Sequence, residues 1–338
     1  MTKTPTSSGA SGSRAVVIDL LRRVFGARTT TLLLTVLVVS IILTIASNGT
    51  FLRKRNLVSV LMGMTYDLLL AMGMTLVLIL GGIDLSVGSV LGLSGVAITM
   101  LMSKHQPYQI TLPTAVAIGF VVAVLCGAVN GLGVAKLKIA PFIVTLGMMA
   151  VARGLATVWT SGWYVSGLPE PYLAIGQGTL LGVPYPIYIA LVILAVFSYV
   201  LGRWKPLNQT FYIGHNPQAA ALSGLKVTLV TGFGYVISGL LSGLAGLFMT
   251  SRLAMGFFQF GVGSELNAIA AAVIGGASFA GGSGSLVGTF LAALLIGVIN
   301  NGFVLLKGDP NYKTLVQGLI VFVAIAVDAY RRRKEIRE

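Results

Sequence analysis

The chain has 338 residues, 56% hydrophobic and only 9% charged, with a mean hydropathy of +0.92 and a formal net charge of +14. A soluble domain carries about 25% charged residues. The composition therefore excludes a soluble enzyme, a nucleic-acid binder and a disordered chain, and leaves an all-α polytopic membrane protein. The single cysteine, Cys126, excludes an internal disulfide and a cysteine-based metal site.

A membrane span needs about 20 mostly apolar residues. Residues 1–28 form a polar arm with Lys3, Arg14, Arg22, Arg23 and Arg28. The apolar run after it is longer than the ~7–15 residues of a signal-peptide core, so it reads as a retained first span. Spans are predicted at roughly 29–47, 57–80, 88–103, 112–135, 140–160, 186–202, 227–250, 265–281, 284–306 and 313–330. That makes about ten. The third, eighth and tenth are short or Gly-rich, which leaves tilted, partial or re-entrant segments and eight or nine full crossings as the alternative. The transmembrane domain is thus 29–330, followed by a basic tail at 331–338.

Along the chain, Asp67 lies inside the second span and reads either as an inward-facing functional group or as an interfacial one. Arg153 is the only basic residue away from the ends of a predicted span and therefore its conceivable partner. Gly81-Gly82-Ile83-Asp84-Leu85-Ser86 interrupts two apolar runs. A carboxylate at membrane depth costs on the order of 2.5–3.5 kcal/mol, so Asp84 with Ser86 either lines a substrate path or gate, or caps the next helix. Asn130, Asn267, Asn300 and Asn301 are polar groups in or beside spans, suited to interhelical hydrogen bonds or to the path itself. Glu265 suits the first turn of a helix. Gly127/Gly131, Gly239/Gly243 and Gly284/Gly288 have small-xxx-small spacing.

Two loops stand out. Residues 162–185 are apolar, aromatic and Pro-rich, which predicts a packed outer loop at the membrane interface. The inner loop 203–226 contains Asn216-Pro217 as a helix start, Gln218–Leu222 as a helix-forming run and Gly224 as a stop. This predicts a short exposed helix, a docking knob. With ten crossings and a cytoplasmic N-terminus, inner segments hold 15 Lys and Arg and outer segments seven, which predicts both termini inside. Arg53-Lys54-Arg55 runs against that bias.

The sequence has no Gly-Lys dipeptide and hence no P-loop, no H-E-x-x-H, and only two histidines, both in loops. Neither nucleotide hydrolysis nor metal catalysis is expected of this chain.

Three segments occur together and in order: Gly-Ile-Asp-Leu-Ser-Val-Gly-Ser from Gly82, Gly-x-Asn-x-x-Ala-Ala-x-x-Ser-Gly from Gly214, and Glu-Leu-x-Ala-Ile-Ala-Ala-x-Val-Ile-Gly-Gly from Glu265. Over about residues 50–330 the chain resembles the permease subunits of bacterial ABC importers for monosaccharides, the ribose, xylose, galactose and autoinducer-2 family. The resemblance implies a transport subunit without cofactor of its own, ATP and magnesium being bound by a separate ATPase. It implies further partners: a periplasmic or lipoprotein sugar-binding protein, a second permease copy and the lipid of the bacterial inner membrane. It assigns Gly214, Asn216, Ala219, Ala220, Ser223 and Gly224 to a coupling helix against the ATPase. Asp67, Gly81, Gly82, Asp84, Ser86, Asn130 and Asn267 are the expected path or gate. An ion-coupled secondary transporter, a branched-chain amino-acid type ABC permease and a non-transporting scaffold are the competing readings.

Overall fold

The computed structural model describes residues 27–308 and six scattered positions beyond them, 312, 315, 318, 319, 322 and 326. The polar arm up to residue 26, the basic tail and most of the tenth predicted span lie outside the described residues. Within them the chain forms twelve α-helices: α1 (Ala27–Ala46), α2 (Lys54–Ile79), α3 (Val87–Met102), α4 (Leu112–Gly131), α5 (Pro141–Thr160), α6 (Glu170–Gln177), α7 (Tyr185–Arg203), α8 (Lys205–His215), α9 (Pro217–Leu222), α10 (Val227–Leu253), α11 (Ser264–Gly275) and α12 (Leu286–Leu305). Seven of these, α1, α2, α4, α5, α7, α10 and α12, are long and apolar enough to cross a membrane, while α3 and α11 are shorter apolar helices. The protein is thus an all-α, multi-pass membrane protein.

All nine predicted spans up to residue 306 correspond to helices. The eighth is shortened: α11 has 12 residues and ends at Gly275, so 276–281 belong to a break rather than to the span. The loop at 203–226 holds more structure than predicted, because α8 precedes the expected short helix α9. The loop at 162–185, predicted to lie outside, contains α6 and a two-stranded hairpin pairing Thr179 with Pro184 and Leu180 with Val183.

α2 is the axis of the molecule. From Leu68 to Ile79 its side chains are almost wholly buried, and α10, α11 and α12 pack around it. α10 lies against α4 through the predicted small residues. Cβ atoms at Gly127, Gly131 and Gly239 would overlap the facing backbone, so the helices touch main chain to main chain. Such close approach is how helices associate in lipid, where burial between helices gains nothing over burial in hydrocarbon.

The helix ends sort into two faces. At the break end, the Gly282 amide donates to the Ile79 carbonyl at 2.8 Å, and α8 and α9 lie against the same turn. At the hairpin end, Lys54 lies beside Gly182, the Lys104 amide donates to the Gly167 carbonyl at 3.0 Å, and Val165 pairs with Gly256. There the buried Tyr172 hydroxyl meets the Thr250 hydroxyl at 2.5 Å, pinning α6 onto α10. Burial raises the Tyr172 phenol far above its ordinary range, so it stays protonated.

A candidate site with a glycine-broken face and a polar cavity

The first break, 80–86, turns the chain from α2 into α3. Gly81 adopts φ +78°, in the left-handed region that favours glycine. Asp84, 2% exposed, then becomes the hub of a buried polar cluster. Its Oδ1 accepts from the Ser86 amide at 3.0 Å and the Ser86 hydroxyl at 2.6 Å, and its Oδ2 accepts from the Ser238 hydroxyl at 2.8 Å. The Asn130 amide nitrogen donates to the Ser86 hydroxyl at 2.9 Å. Asp84 therefore ties the break to α4 and α10. It braces the turn before α3 rather than capping that helix itself, since α3 starts after Ser86.

A second break, 276–285, joins α11 to α12, with Gly276, Gly281 and Gly282 all at positive φ. The two breaks meet at α8. A Cβ at Gly214 would overlap the Ile79 carbonyl and crowd the Gly282 amide, and one at Gly281 would press on the Gly214 carbonyl. Next to this contact stands α9. Asn216 accepts from the Gln218 and Ala219 amides at 3.1 and 3.0 Å, Pro217 takes the first turn, and Gly224 follows at φ +82°. Ala219, Ser223 and Gly224 are exposed, whereas Ala220 is 5% exposed and packs on Leu80, Ile213 and Val230. Ala220 thus anchors α9 to the membrane domain. The residue that projects outward is Leu222, 91% exposed, which sequence reasoning passed over as one more helix former.

Asp67 lies elsewhere, at the middle of α2 and on the hairpin side of Asp84. The Asn267 amide nitrogen donates to its Oδ2 at 3.1 Å. The conceivable pairing with Arg153 is not made. Arg153 instead donates through Nη1 to the Phe258 carbonyl, and to the Phe260 carbonyl at 2.8 Å. The reason is the segment 254–263, which descends beside α3 from Thr99 to Gly88 without helical structure. Its carbonyls lie at membrane depth and need a donor that lipid does not supply. Glu265, in the first turn of α11, accepts from the Gly263 amide at 3.2 Å.

Asp67 and Asn267 line an open cavity of about 520 Å³ together with Ser59, Tyr66, Ser264 and Asn300, among others. Asn301, at its rim, exchanges two hydrogen bonds with Asn56 at 3.0 and 2.9 Å. The predicted path residues thus form two clusters. Asp84 and Ser86 in the break are braced by Asn130 from α4, while Asp67 and Asn267 face a cavity. Ser238, Tyr66 and Ser264 carried no sequence signal beyond being polar residues in apolar surroundings. Among the described residues no group of three or more His, Cys, Asp or Glu is placed to hold a metal ion.

Residues 56–325 match the family described as the branched-chain amino acid transport system / permease component. The ribose import permease protein RbsC of Bacillus subtilis is 40% identical over 88% of this chain and 90% of its own length. The Haemophilus influenzae RbsC is 38% identical over 86% and 90%. The L-arabinose ABC transporter permease protein AraH of Azospirillum brasilense is 34% identical over 84% and 83%. No solved structure matches the chain. A match spanning both glycine breaks, the short helix α9 and the cavity makes this chain a member of that permease family.

Proposed function

We propose that this chain is the transmembrane subunit of an ATP-driven importer that moves a monosaccharide across the bacterial inner membrane by alternating access. The relatives named for ribose and L-arabinose import support the substrate class. The observation that carries the mechanism is α9, a capped helix at the end where both glycine breaks converge. A separate ATPase would bind and hydrolyse ATP with magnesium. This chain would supply the lever: Asn216 and Gly224 delimit the helix, Ala219 and Leu222 present its exposed surface, and Ala220 roots it on Leu80. A pull on α9 would reach α2 through Leu80 and the Gly214–Ile79 contact, and α12 through Gly281 and Gly282. The break end would face the cytoplasm, with both termini inside. The hairpin end would receive a sugar-binding protein, and a second permease copy would complete the path.

The test is co-purification of the ATPase with Leu222→Asp and Ala219→Glu permeases, read beside ATP-dependent sugar uptake. Each introduces a charge where a packed contact is expected, and an unpaired charge at an interface costs several kcal/mol. The expected result is loss of ATPase association by at least tenfold, with a membrane domain that still folds. Unchanged association and uptake in both variants would refute the assignment of α9. An ion-coupled secondary transporter would instead tolerate both changes, because exposed loop substitutions usually matter by less than about 0.5 kcal/mol.

A further inference from the structure

The cavity beside Asp67 is larger and more polar than helix packing requires. Its deepest charged group, Asp67, lies 12 residues from the end of α2 and 13 from its start, which at a rise of about 1.5 Å per residue is roughly 18–20 Å from either end. The neighbouring wall is the first turn of α11, a helix that begins inside the protein at Ser264 rather than at a membrane surface. The third wall is α12 from Gly297 to Val304, running toward the hairpin end. The cavity therefore spans from mid-membrane toward that end. Hydrocarbon-depth cavities are normally filled by apolar side chains, yet this one presents the Tyr66 hydroxyl, the Ser264 hydroxyl and the Asn300 amide. None of these three side chains makes a hydrogen bond to another described residue. The Asp67 carboxylate is held in place by Asn267.

We infer that this cavity is a monosaccharide subsite, with Asp67 and Asn300 accepting from sugar hydroxyls and Tyr66, Ser264 and Asn300 donating to them. The inference rests on the importer reading and adds where the sugar pauses. Three features favour a sugar over an inorganic cation. About 520 Å³ lies in the range of small-molecule pockets. The lining mixes donors and acceptors, as a polyhydroxylated neutral solute needs. One carboxylate among amides and hydroxyls leaves no multi-carboxylate cage. A branched aliphatic amino acid could pair its ammonium and carboxylate with only part of this lining and would set its apolar side chain against the remaining polar groups, each left unpaired at a cost of about 1–3 kcal/mol.

Gly63 offers a clean probe. It lines the cavity, an added Cβ meets nothing within 4 Å, and the only native cysteine, Cys126, is buried. In a Cys126→Ala background, Gly63→Cys is labelled with a membrane-impermeant maleimide in spheroplasts that contain the whole transporter. A panel of aldopentoses and aldohexoses that includes ribose and L-arabinose is added, with leucine as the contrast. The expected result is labelling slowed several-fold by at least one sugar and unaffected by leucine. Asn300→Ala or Asp67→Asn should abolish that protection while leaving labelling without sugar unchanged, the sign of an intact fold. Lack of protection by a sugar that the same transporter takes up with ATP would overturn the subsite and leave the importer reading standing. Protection by leucine equal to that by sugar would overturn the substrate class. ATP-driven uptake of none of the sugars would overturn the reading beneath the subsite.

Discussion

Asp84 shows how a buried carboxylate is kept in an apolar molecule. Four donor groups converge on its two oxygens, two from Ser86, one from Ser238 and, at the longer distance of 3.5 Å, the Asn130 amide. Replacing it by Leu strands those donors, and each buried unsatisfied group costs about 1–3 kcal/mol. We expect Asp84→Leu to lower the thermal unfolding midpoint in detergent markedly, and Asp84→Asn to do so less, because the amide oxygen still accepts. Equal midpoints for Asp84→Leu and the parent would mean the cluster does not brace the break. Arg153 calls for the same reasoning with the roles reversed. Arg153→Met removes the donor to the Phe258 and Phe260 carbonyls, so it too should destabilise, while Lys, with a single ammonium in place of a fork, should restore only part of the loss. At this scale Asp67, Asp84, Asn130 and Asn267 were legible in the sequence, since polar residues in apolar runs advertise themselves. Their partners were not. Ser238 reaches Asp84 across 154 residues of chain, and Arg153 reads as a mate for Asp67 only until the non-helical backbone beside α3 and the nearby Glu265 carboxylate are seen.

The elements that carry the proposed coupling depend on glycine in two different ways. At Gly214 the constraint is space, because a methyl group would enter the Ile79 carbonyl and the Gly282 amide, neither of which is a flexible side-chain end. At Gly224 it is conformation alone, since φ is +82° and nothing lies within 4 Å. Gly224→Ala should therefore cost on the order of 1 kcal/mol, the strain of a left-handed non-glycine residue, and leave assembly intact. Gly214→Ala should push α8 away from both breaks and reduce ATP-dependent uptake by an order of magnitude or more, even where the protein is still recovered from the membrane. Uptake rates normalised to extracted permease check both, and equal effects would show that the Gly214 contact transmits nothing. The short helix α9 was legible because capping chemistry is local: Asn, Pro and Gly mark its ends. α8 was missed because Lys205–His215 carries three polar residues, Asn208, Gln209 and Thr210, in a row, which hides an amphipathic helix that buries only Leu207, Thr210, Ile213 and Gly214. The shortened α11 was hidden by the opposite effect, since Gly275 through Ala280 is apolar enough to extend a span yet too rich in glycine to remain helical.

For the molecule as a whole, the question is which end faces the cytoplasm. The positive-inside bias of 15 to seven depends on where the basic residues sit. Among the described residues, the break end carries Arg28, Lys136, Lys138, Arg203, Lys205 and Lys226, and the hairpin end carries Arg53, Lys54, Arg55, Lys104, Arg252 and Lys307. Six stand against six, so the loops alone do not orient the protein. The imbalance comes from the arm before residue 27 and the cluster after residue 330, and charges close to the first span usually dominate. The arm precedes α1, whose far end joins the hairpin end through the Phe51 turn. The arm therefore leads into the break end. A cytoplasmic arm places α9 in the cytoplasm and the hairpin outside, the arrangement an ATPase-coupled importer requires. Leu222 and Leu181 are the natural reporters, 91% and 87% exposed at opposite ends. In a Cys126→Ala background we expect Leu181→Cys to react with an impermeant maleimide in intact spheroplasts, and Leu222→Cys to react only after the membrane is opened. The reverse pattern would place Arg53-Lys54-Arg55 inside, make the loop charges the orienting signal, and put α9 beyond the reach of any cytoplasmic ATPase.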